Sequence, residues 1–263
     1  TTPFVIWSTS KSFTALAILQ LVDAGTVDLD APVRTYVPEL QLAAGEPVDR
    51  ITVRHLLQQT SGLSDASGGP VLASAVEGTA LDAVAEIAGS RLAGDPGEVW
   101  AYANVNYVLA GLVGERAAGM SYPDYVERQI FIPLGMTNSY TDSAKIPVGF
   151  QGTDVQGSGH RFWFGRAVGS EPLQRRGLLA AGYLISCADD LGRYLAMYLA
   201  GGVAADGTRV ISEAGLAVML AAGPQARLGP WANGPASHYA MGWFAGCPWS
   251  GAPILHGGVS PRS

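Results

Sequence analysis

The stretch from Trp7 to Val22 constrains the fold more than any other. Trp7-Ser8-Thr9-Ser10-Lys11-Ser12-Phe13-Thr14 runs into Ala15-Leu16-Ala17-Ile18-Leu19, where no polar residue occurs, and Gly25 supplies a stop. A helix that is apolar on nearly every side belongs in the middle of a domain. Its first turn nevertheless carries a lysine. Ser8 and Lys11 are three apart, so on a helix they share one face. A buried ammonium is costly unless it is paired or neutralised. A lysine beside a hydroxyl in such a place is a candidate base. Only one other lysine, Lys145, occurs in the chain.

The 263 residues suffice for one large domain with a sizeable core. Hydrophobic residues make up 48% and charged residues 14%, a globular composition. The net charge of −6 and the lack of a basic block argue against nucleic acid or an anionic membrane as partner. Apolar runs stop short of membrane-spanning length. Cys187 and Cys247 show neither a disulfide framework nor metal-ligand spacing and read as two buried free thiols. The chain opens on Thr1-Thr2-Pro3 without a methionine, which is compatible with a removed leader and leaves the compartment open.

Local patterning places an extended segment over residues 1–6 and a short helix near Tyr36. It predicts a Thr52-capped helix over 53–59 and further helices over 80–91, 108–118, 123–130, 188–199 and 212–220. The 64–70 run is turn-rich. Residues 143–176 show little periodicity and read as a long functional loop that includes Phe162-Trp163-Phe164, equally an acyl-pocket wall or surface or core packing. Residues 177–186 read as a buried strand or loop, Asp206-Gly207 as a hairpin turn, and 239–244 and 254–256 as strands, so strands cluster at the two ends of the chain.

Three short motifs follow in order: Ser8-Thr9-Ser10-Lys11, Tyr102-Ala103-Asn104 and His256-Gly257-Gly258. Each alone is ordinary structural text: a capped helix start, a turn before a helix, a bulge beside a histidine. Their order and surroundings say more. Together with the runs 12–17, 20–33, 51–63, 96–97, 102–111, 133–136, 181–186 and 239–243, they make the chain similar, over essentially its whole length, to the serine β-lactamase and penicillin-binding-protein superfamily. The resemblance is to its class C β-lactamase, DD-peptidase and esterase branch.

The resemblance implies an α/β fold of the β-lactamase/transpeptidase-like type: an antiparallel sheet with flanking helices plus a helical subdomain over about 26–145, together one catalytic domain over 1–263. It implies a serine hydrolase with Ser8 as nucleophile, Lys11 as base and Tyr102 as second acid/base, Lys11 or a Tyr102 phenolate serving as the first base. Asn104 would bind the substrate's amide or help fix Lys11, His256, Gly257, Gly258 and Val259 would bind substrate, and the backbone N–H groups of Ser8 and Val259 would form the oxyanion hole. No metal or organic cofactor is called for. The partner would be a small ester, amide or β-lactam. Alternatives within the fold are a β-lactamase or DD-carboxypeptidase, and a non-catalytic ligand-binding or sensor domain.

Two departures bear on this reading. The third motif carries His256 where class C β-lactamases usually have lysine, so a fixed cation for a substrate carboxylate is replaced by a mostly neutral side chain. That favours an esterase or amidase. The family's strands before the nucleophile helix, and its strands and helix after the third motif, have no counterpart here, so the resemblance implies a piece of a longer chain with open sheet edges. Ser10 and Ser12 read as packing or cap residues, His55 as structural, His160 and His238 as unpaired with any metal spacing, and Arg175-Arg176 as a solvated pair.

Overall fold

The computed structural model describes residues 2–65, 78–147, 159–163, 165–170, 176–226, 237–246 and 254–257. Helix α1 (Ser10–Asp23) is the axis of the molecule. Ser10 to Leu19 and Leu21 are all buried, as a stretch without a polar face requires. Gly25 ends it in the left-handed conformation at φ 73°, with its N–H donating to the Val22 carbonyl and that of Thr26 to Leu21. Phe13, Leu16, Ile18 and Leu19 are fully excluded from water, each contributing about 1.5–3 kcal/mol.

The other helices wrap this axis. They are α2 (Val53–Leu57), α3 (Ala80–Glu86), α4 (Asn104–Ala118), α5 (Tyr122–Val126), α6 (Leu179–Gly182), α7 (Ala188–Leu199) and α8 (Glu213–Leu220). Helix α4 is as buried as α1, from Val105 through Gly114. It packs against α1, α3 and α6. At Gly111 the approach to α6 is so close that a Cβ would lie 2.6 Å from the Ala180 Cβ. Helix α2 is capped as its sequence predicts: the Thr52 side chain accepts from the His55 N–H, and His55 Nδ1 accepts from the Thr52 N–H. His55 is therefore structural.

The strands are short and pair antiparallel. Strand β1 (Phe4–Val5) pairs with β4 (Ile185–Ser186), β2 (Gly159–Trp163) with β3 (Arg166–Ser170). A four-stranded sheet runs in order β5 (Gln225–Ala226), β6 (Ser237–Tyr239), β7 (Phe244–Ala245) and β8 (Ile254–Leu255). Residues 240–243 form the tight turn between β6 and β7, and Gly242 at φ 76° lies against α1: a Cβ there would sit 2.8 Å from the Ser12 Cα. The sheet is thus keyed to the first turn of α1.

Several local expectations are corrected. Within 143–176, read as irregular, β2 and β3 pair antiparallel, so strands are not confined to the chain ends; such pairing is invisible to a periodicity test over so short a run. Residues 239–244 are not one strand: Tyr239 ends β6, 240–243 turn, and Phe244 starts β7, because Gly242 takes a left-handed φ. Residues 177–186 hold a helical turn before β4. The helix read as starting at Val108 starts at Asn104, and that over 80–91 stops at Glu86. Helix α5 passes into a π-helical turn over Glu127–Phe131. Among the described residues no helix is long and apolar enough to cross a membrane.

Candidate active site

Ser8 lies in the 3-10 turn Trp7–Thr9 that leads into α1, which begins at Ser10. Trp7, just before it, holds φ at 46°, a conformation that bulky L-residues rarely adopt. The Trp7 ring meets Tyr183 edge to face at 5.4 Å. The α6 segment backs the turn, since a Cβ at Gly182 would lie 3.8 Å from the Ser8 nitrogen.

Lys11, on the first turn of α1, is fully buried. Its Nζ donates to Asn104 Oδ1 at 2.7 Å, to the Ala181 carbonyl at 2.6 Å and towards Ser8 Oγ at 3.2 Å. The Tyr102 hydroxyl donates to Ser8 Oγ at 3.0 Å. The Lys11 Nζ also lies 4.8 Å from the centre of the Tyr102 ring and 5.7 Å from that of Tyr107. Lys11 Nζ and the Tyr102 hydroxyl thus meet at Ser8 Oγ, and three segments distant in sequence, around residues 8–11, 102–107 and 181, surround Lys11. Burial pushes the Lys11 ammonium down to about 7, opposed by the Asp65 charge. Burial drives the Tyr102 phenol well above its ordinary range, with Tyr239 adding to the effect, so the phenol keeps its proton.

The segment bearing Tyr102 and Asn104 is held by Gln59, itself fully buried and at φ 59°. Its Oε1 accepts from the Ala103 N–H at 3.0 Å and from Asn106 Nδ2 at 2.7 Å, and its carbonyl accepts from the Ala101 N–H at 2.9 Å. Ser61 Oγ donates to Asn106 Oδ1 at 2.7 Å. The run 58–63 is therefore the brace of the second motif. Asp65 follows it and accepts from the Asn104 backbone N–H at 2.8 Å and from its Nδ2 at 3.0 Å.

The third motif is partly described. The His256 ring packs near Phe244 and Tyr239, at 5.6 and 6.3 Å between centres. Its Nδ1 lies 2.9 Å from the Gly257 carbonyl, to which only a protonated Nδ1 can donate. Nε2 is then the lone-pair side, buried and without a partner among the described residues. Burial pushes this imidazole down to about 3, with the Lys11 charge contributing, so His256 is neutral and faces the same site as Lys11. Gly257 is exposed. Gly258 and Val259, and with Val259 half of the expected oxyanion hole, lie outside the described residues.

Residues set aside as structural behave so. Ser10 Oγ accepts from the Leu184 N–H, and Ser12 Oγ bonds to the Thr9 carbonyl and the Tyr194 hydroxyl. His238 Nδ1 meets the Gly223 carbonyl at 3.0 Å. Arg176 pairs with Asp142 at 3.5 Å on the surface. Cys187 is a buried free thiol. Cys247, Arg175 and the side chains of His160, Phe162, Trp163 and Phe164 lie outside the described residues. Among the described residues no group of His, Cys, Asp or Glu side chains is placed to hold a metal ion.

Sequence reading missed Gln59, Asp65 and the Ala181 carbonyl. The first and last stand inside runs that carry the resemblance, but no local pattern ties Gln59 to residues 103 and 106 or Ala181 to residue 11.

The chain is similar to known proteins over nearly its whole length. A family model described as Beta-lactamase matches residues 1–262. Penicillin-binding protein 4* of Bacillus subtilis is 36% identical over 140 residues, covering 52% of this chain and 30% of that protein. Penicillin-binding protein 4 of Amycolatopsis lactamdurans is 31% identical over 226 residues, covering 81% of this chain and 55% of that protein. The solved D-amino acid amidase of Ochrobactrum anthropi SV3 superposes with a TM-score of 0.75 at 25% identity, over 98% of this chain and 70% of the amidase. The matches span little more than half the length of these curated relatives, or less.

Proposed function

The chain belongs to the Beta-lactamase family, and from that premise we propose that it is a serine hydrolase in which an ester or amide carbonyl acylates Ser8 and water then releases the acyl group. The fold is β-lactamase/transpeptidase-like, of α/β class, rich in helices with small antiparallel sheets. The observation that carries the mechanism is the Lys11 environment. A neutral amine has two N–H groups and one lone pair. The two shorter contacts, to Asn104 and Ala181, use both N–H groups and leave the lone pair facing Ser8 Oγ.

Lys11 then takes the Ser8 proton as Oγ attacks the carbonyl carbon. Burial favours Lys11 over a Tyr102 phenolate for this first step, because it lowers the one and raises the other. Tyr102 gives its hydroxyl proton to the departing nitrogen or oxygen and is recharged from Lys11. In the second half a water loses a proton to this pair, attacks the acyl carbon and frees Ser8 with its proton restored. The Ser8 N–H, and by the resemblance that of Val259, would receive the oxyanion.

A neutral His256 offers no cation to a substrate carboxylate, which supports ester and amide substrates over β-lactams. The likeness to a D-amino acid amidase points to amides of amino acids as the first to try. Comparing kcat/KM for p-nitrophenyl butyrate, a D-amino acid amide and nitrocefin tests the choice; nitrocefin as the preferred substrate refutes it in favour of a β-lactamase. Intact mass after a fluorophosphonate probe tests the nucleophile. Wild type gains one adduct and Ser8→Ala none; a stable penicillin adduct without turnover indicates a sensor.

A further inference from the structure

Resting on that serine-hydrolase reading, we propose that Asp65 is a positioning residue that sets which face of the Asn104 amide Lys11 meets. Asp65 stands at the exposed rim of the site, on the turn that follows Leu63-Ser64. One carboxylate oxygen accepts from the Asn104 backbone N–H at 2.8 Å and the other from its Nδ2 at 3.0 Å. An amide can present either its oxygen or its nitrogen to a neighbour. Two acceptor oxygens from Asp65 admit only the nitrogen on their side, so Oδ1 is turned to Lys11, where it accepts from Nζ at 2.7 Å. With the amide reversed, its N–H groups would face the Lys11 lone pair and occupy the base. Asn104 begins α4, and Ala103 before it provides no side-chain cap. Asp65 therefore also neutralises an orphan N–H at the positive end of that helix.

Among the described residues, the groups around the Lys11 Nζ are the Ser8 hydroxyl, the rings of Tyr102 and Tyr107, neutral His256, the Ala181 carbonyl and Asn104. Asp65 is the anion that Lys11 feels, and that charge favours the protonated amine. A cap whose charge did not reach Lys11 would affect stability alone, and one acting on Lys11 through charge alone would move its midpoint but leave the effects of Asp65 and Asn104 on kcat multiplying. A positioning residue moves the midpoint and is coupled to Asn104.

Two measurements separate this proposal from the reading beneath it. The first needs no turnover: NMR titration of the Lys11 Cε in wild type and Asp65→Asn, with Lys145 as the second lysine signal. Asn at 65 turns an N–H donor towards Asn104 Nδ2 and removes the anion. The Lys11 midpoint is expected to fall by about half a pH unit or more. The second is a cycle on kcat for p-nitrophenyl butyrate. Asp65→Asn is expected to lose about tenfold, and to lose under about twofold when Asn104 is already alanine. An unmoved or raised Lys11 midpoint, or losses that multiply in the double variant, overturn the proposal. Asp65→Ser, which removes the carboxylate with a smaller side chain, provides the same comparisons if Asp65→Asn does not fold. A chain inert towards every ester and amide refutes the hydrolase reading, while the Lys11 midpoint still decides the role of Asp65.

Discussion

The protonation of Lys11 is the quantity on which the chemistry turns, and this chain allows it to be seen directly. An unperturbed lysine titrates at 10.5, and burial brings Lys11 to about 7. That displacement corresponds to about 5 kcal/mol of disfavoured charge. At neutral pH about half of Lys11 is then the free base, against a few parts in ten thousand for an ordinary lysine, a gain of roughly a thousandfold in competent base. The chain has two lysines. Lys145 is on the surface, ion-paired with Glu127 at 2.6 Å. Labelling lysine at Cε therefore yields two resonances, and Lys145→Arg assigns them by leaving one.

The Lys11 signal is expected to titrate near 7, and kcat/KM for an ester substrate to rise with pH along the same curve. Stability follows with a defined sign. The folded value lies below the unfolded one, so between about 7 and 10.5 the unfolded chain binds more protons and the Lys11 contribution to stability rises with pH. Below about 7 the whole penalty is borne. Lys11→Met removes the charge but strands the Asn104 oxygen and the Ala181 carbonyl, a cost independent of pH in this range. Its stability relative to wild type should accordingly be greater at pH 6 than at pH 9.5 in urea melts. A Lys11 midpoint above about 9.5, or a stability difference that does not vary with pH, would refute a lysine held by burial as the free base.

Two further substitutions test the frame around the site. Gln59→Ala removes the acceptor shared by the Ala103 N–H and Asn106 Nδ2 in a fully buried place; urea denaturation should register a loss of about 2–4 kcal/mol, and a loss under about 0.5 kcal/mol would mean that the 101–106 segment is held otherwise. Gly242→Val puts a side chain into the Ser12 backbone at a left-handed φ; thermal melting should show a destabilisation of at least about 2 kcal/mol and fluorophosphonate labelling of Ser8 should slow, whereas an unchanged melt would show that the β6–β7 turn does not press on α1.

What could be read from the sequence, and what could not, divides by the range of the interaction. The burial of α1 was legible because it is a property of consecutive residues: a helix with no polar stripe has no face to give to water. The Thr52 cap, the Ser212 cap, which accepts from the Gly215 N–H, and the left-handed end at Gly201-Gly202 were legible for the same reason, each being settled within one turn. The convergence of Ser8, Lys11, Tyr102 and His256 was reached through motif order and family likeness; nothing local to Tyr102 says that its hydroxyl meets an oxygen 94 residues earlier. The pairing of β2 with β3 is not legible because a five-residue strand leaves too short a pattern.

Gln59 and Asp65 failed for a more instructive reason. Their work is done on backbone N–H groups of residues some 40 positions away, at 103 and 104. A backbone N–H is the same at every residue, so a side chain that serves one leaves no complementary letter at the other end. The catalytic letters of such a site can be read because chemistry demands particular side chains there. The groups that aim them answer to position alone, and position is what the folded chain adds. The left-handed φ at Trp7 and at Gln59 belongs to this second class: one residue delivers Ser8 and the other anchors the segment bearing Tyr102, and each holds a backbone angle that its own side chain does not favour.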